Sequence, residues 1–566
     1  MNFQLKLLSM AMLSACAHMA AAQAPNLPSG GDLLRQATPQ KPEEIGKNLP
    51  IVEAAPYALP LTAKDTVMVQ VKGFRLTGNT AFKQGKIEQL LESHVGQELG
   101  VNKLQAIASS ITKLYRDHGY FVARAYLPEQ RLTDGIVTIA IVEGQYGDFK
   151  IDNASLVTDV EVQAFMDKLK EEKAISTQTL ERQLLLINDL SGVVVVNAEV
   201  YPGKAVGTSD FGIKTQATEK ISGYAIADNY GARYTGEARL SAGLSVNSLT
   251  GIGDSFSANG LVSDTSDLQN HGLSYDRPLG YGGWKGGGSY SFSQFTLRHV
   301  QNYQSSGVTR NFGLYASYPL LKTRMQTQEI RFDLVHRKME DTSGLIGDVE
   351  TGGKSTDGLS ISFSDKRATN FFSQQGRLFT TLSTTFGKAR MDNAVSLVND
   401  ANLKSAGSYS KANLRVTHLQ QIDLRTSLNT VLKAQTNFGR NLDSSEDMSV
   451  GGSNGLRAYE DSELSGDKGV VLSMDLAYSL PRYQEINHQV ALIFDVAQVW
   501  KNTRVFNTEA NSRRLYDIGI GYAMNYRNFD LKVSLARGYG PNRTPTSEAE
   551  FSTNTTKFLV QGMFRF

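Results

Sequence analysis

The stretch Tyr516-Asp517-Ile518-Gly519-Ile520-Gly521-Tyr522-Ala523-Met524-Asn525-Tyr526 alternates from residue to residue. Tyr516, Ile518, Ile520, Tyr522 and Met524 share one parity, and Asp517, Gly519, Gly521, Ala523 and Asn525 share the other. Successive side chains of a strand point to opposite faces, so this strand has one apolar face and one small, polar face. A soluble sandwich would bury the apolar face and charge the other. A small wet face opposite a continuous apolar one instead suits a strand set between lipid and an aqueous lumen.

From about residue 221 to the end at Phe566, the same period of two recurs in segments of about ten residues, separated by Gly, Asn, Asp and Ser clusters. In residues 240–248, Leu240, Ala242, Leu244 and Val246 alternate with Ser241, Gly243, Ser245 and Asn247. The last segment keeps Phe558, Val560, Gly562, Phe564 and Phe566 on one face. Strands are expected at 221–229, 235–248, 253–263, 270–279, 284–296, 307–319, 326–338, 356–366, 374–387, 408–419, 425–437, 470–480, 489–500, 514–526, 528–538 and 557–566. They predict a 16-stranded antiparallel β-barrel over residues 211–566. Tyr224, Tyr230, Phe529, Tyr539 and Phe558 fall near strand ends, as an aromatic girdle requires. A barrel of this size encloses a channel, so something must fill or gate it. Asp495 opposes the parity of Val490, Leu492, Phe494 and Val496, so it points into the lumen, where a carboxylate calls for a cation.

Composition narrows the function. The 566 residues carry 58 Lys+Arg against 56 Asp+Glu, a net charge of +2, which gives no electrostatic case for nucleic acid. Cys16 is the chain's one cysteine and sits in the leader, so no disulfide, thiolate chemistry or cysteine zinc site is expected. Beyond residue 20 no apolar run reaches the roughly 18 residues of a spanning helix, which leaves a membrane role to a barrel or a surface anchor. The mean hydropathy of −0.28 is compatible, because barrel strands are only half apolar. The sequence contains no Gly-x-Ser-x-Gly elbow and no His-Glu-x-x-His pair, and its eight histidines are scattered. No catalytic, cofactor-binding or metal-ligating residues are expected, and no enzyme. Residues 280–288 read as close glycine packing between strands, and Gly251-Ile252-Gly253 lacks the βαβ setting of a dinucleotide site.

At the N-terminus, Lys6, an apolar stretch over 7–17 and Ala20-Ala21-Ala22 form an export signal over residues 1–22, cleaved near Ala22 or Ala24. Leu13-Ser14-Ala15-Cys16 offers the alternative of an acylated Cys16. Residues 23–66 form a proline-rich arm, and its piece Asp32-Leu33-Leu34-Arg35-Gln36 suits a small plug or anchor helix. Two small α/β modules follow, over 67–146 and 147–210. The first reads β-α-α-β-β: a strand over 69–76, helices over 86–94 and 102–118 closed by Gly119, and strands over 121–127 and 136–142. The second reads as a helix over 160–169, a helix capped by Ser176, and a strand over 193–200.

These modules carry a resemblance. Gly119-Tyr120, Arg124-Ala125, Leu127-Pro128, Gln130, Gly135 and Glu143-Gly144 resemble the POTRA domains of two-partner secretion transporters (TpsB type), the haemolysin and filamentous-haemagglutinin exporters. Leu186-Ile187-Asn188-Asp189-Leu190 and Gly192-Val193 are similar to that family's second POTRA domain. Asp228-Asn229-Tyr230-Gly231, Tyr234-Thr235-Gly236 and Leu249-Thr250-Gly251-Ile252-Gly253-Asp254 resemble the opening of its barrel. The gap at 438–469 falls where the family's inward-folded loop lies. That loop's Val-Arg-Gly-Tyr (or Phe) tetrad stands here as Leu456-Arg457-Ala458-Tyr459, and the facing Asp-x-Gly motif as Asp495-Val496-Ala497, with both glycines replaced by alanine. The resemblance implies a mostly β chain in the outer membrane of a Gram-negative bacterium, with two POTRA domains in the periplasm and an Arg457–Asp495 pair holding the gating loop. Its implied partners are a large unfolded exoprotein, outer-membrane lipids and the barrel assembly machinery, the last recognising the terminal Phe566. An assembly factor of the same superfamily and a passive porin are the alternatives.

Overall fold

The computed structural model describes residues 68–131, 134–297, 305–343, 349–452, 455–460, 464–506, 510–539 and 556–566. The leader, Cys16 and the proline-rich arm lie outside the described residues. In the first module, strand Ile136–Val142 lies between Gly73–Thr77, to which it runs parallel, and Arg124–Tyr126. Helices α1 (Gln84–Leu91) and α2 (Val101–Asp117) cover this sheet, and α2 buries Leu104, Ile107, Ala108, Ile111 and Tyr115 along one stripe. The expected strand over 69–76 is broken. The amides of Val71 and Lys72 are diverted to the carbonyls of Gln97 and Gly135, and Met68–Gln70 pairs instead with Glu98–Gly100. The Glu143 carboxylate accepts hydrogen bonds from the amides of Thr80 and Ala81 at 2.7 and 2.9 Å and from the Tyr115 hydroxyl at 2.7 Å. Burial would raise its pKa, but these donors outweigh burial and hold it below the ordinary value.

The second module follows without a linker: Gly119, at φ +90°, offers its carbonyl to the Thr177 amide at 2.8 Å. Its sheet orders Gln145–Ala154, Thr208–Gln216 and Val194–Pro202, covered by α3 (Asp159–Asp167) and α4 (Thr177–Asn188) around Phe149, Phe165, Leu184 and Phe211. Ser176 caps α4 by accepting the Thr179 amide at 3.1 Å. The central strand carries this sheet to Gln216, past residue 210, and its parallel partner begins at Gln145, ahead of residue 147. Gly207, at φ +86°, turns the chain back so that Thr208–Gln216 forms a hairpin with Val194–Pro202.

The barrel strands are β1 (Ile221–Asp228), β2 (Arg239–Asn247), β3 (Ser255–Ser263), β4 (Leu268–Pro278), β5 (Lys285–Leu297), β6 (Ser305–Lys322), β7 (Gln326–Ser343) and β8 (Val349–Phe371). They continue as β9 (Gln374–Met391), β10 (Gly407–Gln421), β11 (Thr426–Phe438), β12 (Lys468–Ser479), β13 (Ile486–Trp500), β14 (Ser512–Tyr526), β15 (Phe529–Tyr539) and β16 (Thr556–Arg565). Neighbours in sequence pair antiparallel, and β16 pairs with β1 to close the barrel. At this seam the Asn229 side chain exchanges hydrogen bonds with the backbone of β16, at the Phe558 carbonyl and the Val560 amide. The backbones of Phe566 and Gly223 also bond reciprocally. β2 starts at Arg239 rather than at 235, because Ala232 to Gly236 form a tight turn in which the Gly231 amide meets the Glu237 carbonyl. Tyr230 leaves the expected girdle, its amide drawn to the Asp228 carboxylate at 2.9 Å. Strands β6 to β9 run longer than expected, and a further helix, α5 (Ala394–Leu403), sits between β9 and β10.

The second module is docked on the turns at one rim of the barrel. The amides of Thr158 and Ser191 donate to the carbonyls of Gly251 and Gly253 in the β2–β3 turn, at 2.9 and 3.1 Å. A Cβ on Gly253 would stand 2.7 Å from the Leu190 side chain, so only glycine allows this approach. Gly283 of the glycine-rich β4–β5 turn packs against Leu186 in the same way, and Arg182 donates to the Gly282 and Pro319 carbonyls at 3.1 Å. Asp189 pairs with Lys285 at 3.5 Å and Lys322 at 2.5 Å. Burial pushes the Asp189 carboxyl up, but the two ammonium groups outweigh it and hold it below its ordinary 3.8. The docking contributed by this depressed group is therefore complete above that value and is lost as pH falls below it. Asp189→Asn is expected to speed amide exchange in residues 279–284 at neutral pH, while the wild type shows the same opening only below about pH 4. Hydrogen exchange against pH checks both.

Candidate functional site in the barrel lumen

The segment between β11 and β12 folds back into the lumen and is held at three levels. Its first limb carries acid to a basic wall: Asp443 meets Lys354 of β8 at 2.8 Å, and Glu446 meets Arg337 of β7 and Lys411 of β10 at 2.9 Å each. Burial would raise both carboxyls, yet these cations keep each below its ordinary value. The Gln435 side chain donates to the Glu446 carbonyl at 3.0 Å, adding a neutral tether. The middle of the segment is apolar. Met448, Val450, Leu456 and Leu464 pack on Val471, Val499 and Leu515, which point inward from β12, β13 and β14.

The tip reverses the charge pattern. It is a compact turn, with the Gly452 amide meeting the carbonyls of Leu456 and Tyr459 at 2.9 and 2.8 Å. This geometry aims Arg457 at the wall. Its Nε donates to Asp495 Oδ2 at 2.9 Å and its Nη2 to Asp495 Oδ1 at 3.0 Å, a bidentate fork, while Nη2 also reaches Asp475 Oδ1 at 2.6 Å. The Ala458 amide donates to Asp517 Oδ2 at 3.0 Å. Asp495 and Asp517 are fully buried and stand directly opposite each other on β13 and β14. Two carboxyl groups this close repel when both are charged, and the tip sets a cation and a backbone donor beside them. Burial would lower the Arg457 pKa, but Asp495 and Asp475 outweigh it and keep the guanidinium charged.

The two alanines fit the seat. Ala458 does not occupy the left-handed region, and its methyl packs with Ala497 and Ala536 in the apolar cluster. Tyr459 donates to the Tyr539 carbonyl at 3.0 Å, and its ring lies where a Cβ on Gly538 would stand 2.6 Å away. Glu460 reaches Arg233, in the β1–β2 connection, at 3.7 Å. The structure thus brings together Arg457 and Asp495, with Leu456, Ala458 and Tyr459 around them. Reading the sequence for a single pair misses Asp475 and Asp517, although both lie on the lumen parity of the strands flanking Asp495.

Arg457→Ala is expected to cost the seated tip about 3 to 5 kcal/mol, because it strands buried carboxylates. Asp475→Asn, at the more exposed partner, should cost below about 1 kcal/mol. Arg457→Ala combined with Asp495→Ala should cost little more than Arg457→Ala alone, as coupled residues do. Hydrogen exchange over residues 449–460 measures all three.

Comparison with known proteins places this architecture. Residues 207–524 match the family model "Haemolysin secretion/activation protein ShlB/FhaC/HecB", and residues 69–144 match "POTRA domain, ShlB-type". The chain is 25% identical over 473 residues to the heme/hemopexin transporter protein HuxB of Haemophilus influenzae, covering 82% of each chain. It is 26% identical over 421 residues to the outer membrane transporter CdiB of Escherichia coli, covering 72% of this chain and 69% of that one. The solved structure of CdiB from Escherichia coli superposes with a TM-score of 0.71 at 19% identity, over 94% of this chain and 95% of that one. CdiB from Acinetobacter baumannii gives 0.65 at 16% identity, over 99% and 98%. A family model that spans more than half of the chain, preceded by its own type of POTRA domain and built on a closed 16-stranded barrel, shows that this chain belongs to the ShlB/FhaC/HecB family, the outer-membrane transporters of two-partner secretion.

Proposed function

We propose that this transporter binds one large exoprotein, unfolded, on its two periplasmic modules and passes it through the lumen once the Arg457 tip leaves its seat. The observation that carries the reading is the combination of a segment folded into the lumen and fixed by charge with a binding module locked onto the rim of the same barrel. Relatives named as transporters of haem/haemopexin and haemolysin support a secreted cargo. The periplasm supplies no ATP, so net movement follows from binding inside and folding outside, where the native state blocks return. A passive porin would have no use for docked modules. The apolar outer wall meets membrane lipid, and the alternating last strand ending in Phe566 is the piece presented to the barrel assembly machinery. The gate opens no covalent bond. It exchanges Arg457–carboxylate contacts for contacts with the passing chain or with water.

Co-expression with a candidate partner exoprotein tests this reading. Removing residues 68–216 should leave a heat-modifiable barrel in the outer membrane and no exoprotein in the medium. Arg457→Ala should lower secretion several-fold with insertion intact. Secretion that survives the deletion would refute capture by the modules.

A further inference from the structure

On β6 to β9 the outer wall changes character at one level. Arg337 and Lys354 point inward to Glu446 and Asp443, so residues of the opposite parity on these strands face outward. Leu314, Leu334, Leu359 and Phe386 stand side by side across the four strands, all exposed. One step toward the far rim the row becomes Phe312, His336, Asp357 and Lys388, and the next is Arg310, Lys338, Ser355 and Arg390. The apolar band that lipid tails require thus stops at a line, and basic residues begin immediately above it.

The cations are arranged rather than scattered. Glu340 pairs with Arg310 at 2.8 Å and with Lys338 at 2.7 Å. Asp357 accepts from His336 Nδ1 at 2.7 Å and pairs with Arg390. Four permanent cations, Arg310, Lys338, Lys388 and Arg390, face three carboxylates, Glu340, Asp357 and Asp392, the last accepting from the Ser355 hydroxyl at 3.0 Å, which leaves one positive charge in excess. Below them opens an outward groove of about 760 Å³, lined by Phe312, Leu314, Leu334, Leu359 and Phe386 with His336, Asp357 and Lys388 at its polar end. Across the barrel the corresponding level of β14 and β15 carries stacked Tyr516 and Tyr539, with Arg514 bonded to Gln498. The modules dock at the opposite, periplasmic rim, so the basic rows lie at the outer leaflet.

We infer that this face of β6 to β9 is a binding site for the lipid A of the outer leaflet, a disaccharide carrying two phosphates and several acyl chains. The inference rests on the outer-membrane placement and adds a specific ligand to it. Four strands span about 14 Å between the first and last, breadth enough to present cations to both ends of a disaccharide. Arg310 and Arg390, at the two edges, match phosphate by their planar donor forks, while Lys338 and Lys388 act as point charges between them. The groove beneath takes acyl chains. A phospholipid offers one phosphate and two chains, and so fills half of this surface.

The full-length protein in detergent, stripped of lipid and titrated with diphosphoryl lipid A, tests the site by native mass spectrometry. The variant with Arg310→Gln, Lys338→Gln, Lys388→Gln and Arg390→Gln should bind roughly tenfold or more weakly, whereas Arg514→Gln should bind as the wild type does. The wild type should also prefer diphosphoryl over monophosphoryl lipid A by several-fold, a comparison that holds if the fourfold variant fails to fold. Equal binding by the folded fourfold variant would overturn the site, as would equal affinity of the wild type for diphosphoryl lipid A and phosphatidylglycerol. Either result would leave outer-membrane insertion, read from the heat-modifiable band, untouched.

Discussion

One guanidinium makes the lumen of this barrel possible in its present form. Asp495 and Asp517 face each other, fully buried, across neighbouring strands, and Asp475 stands one step away. Buried like charges are unfavourable unless a cation and donors are held among them. Arg457 and the Ala458 amide meet that need from the tip of the segment that folds into the pore. The wall therefore demands the loop as much as the loop demands the wall. This mutual requirement gives the seat its specificity, whereas the apolar cluster around Leu456 gives it adhesion without register.

The first limb of the same segment uses the opposite arrangement, with Asp443 and Glu446 against the cations of β7, β8 and β10. Acid faces base at one end and base faces acid at the other. A segment held this way cannot slide along the lumen without bringing like charges together, so it has one resting position. The ion pairs are also replaceable by water, unlike a packed core, which is what the release proposed above requires of a segment fixed at rest. The docked module adds a second fixed reference. Its contacts to the β2–β3 and β4–β5 turns hold the second module at the rim of the barrel into which the loop folds.

Strand parity makes most of the fold legible from sequence, because a period of two sustained over hundreds of residues suits few structures besides a barrel. Strand ends escape it where turns pull the backbone inward, as at Ala232 to Gly236, and where β6 to β9 continue past the apolar band into polar residues that no longer alternate in hydropathy. Glycines such as Gly251, Gly253 and Gly283 are visible in the sequence, but their reason is not: each lies where a Cβ would strike the second module, a contact between residues about 60 to 100 positions apart. The central strand at Thr208–Gln216 is hidden because one of its two partners, Gln145–Ala154, lies across the whole module. At the candidate site, Arg457 and Asp495 are legible through motif and parity, but Asp475 and Asp517 need the register that sets three strands side by side.

On the function proposed here, charge at the tip keeps the loop seated and the pore obstructed. Single-channel recording of the purified protein in planar bilayers, wild type against Arg457→Ala, tests it most directly. The variant should show larger conductance with more frequent open excursions, at unchanged barrel stability. Identical conductance and gating in the two proteins would contradict it.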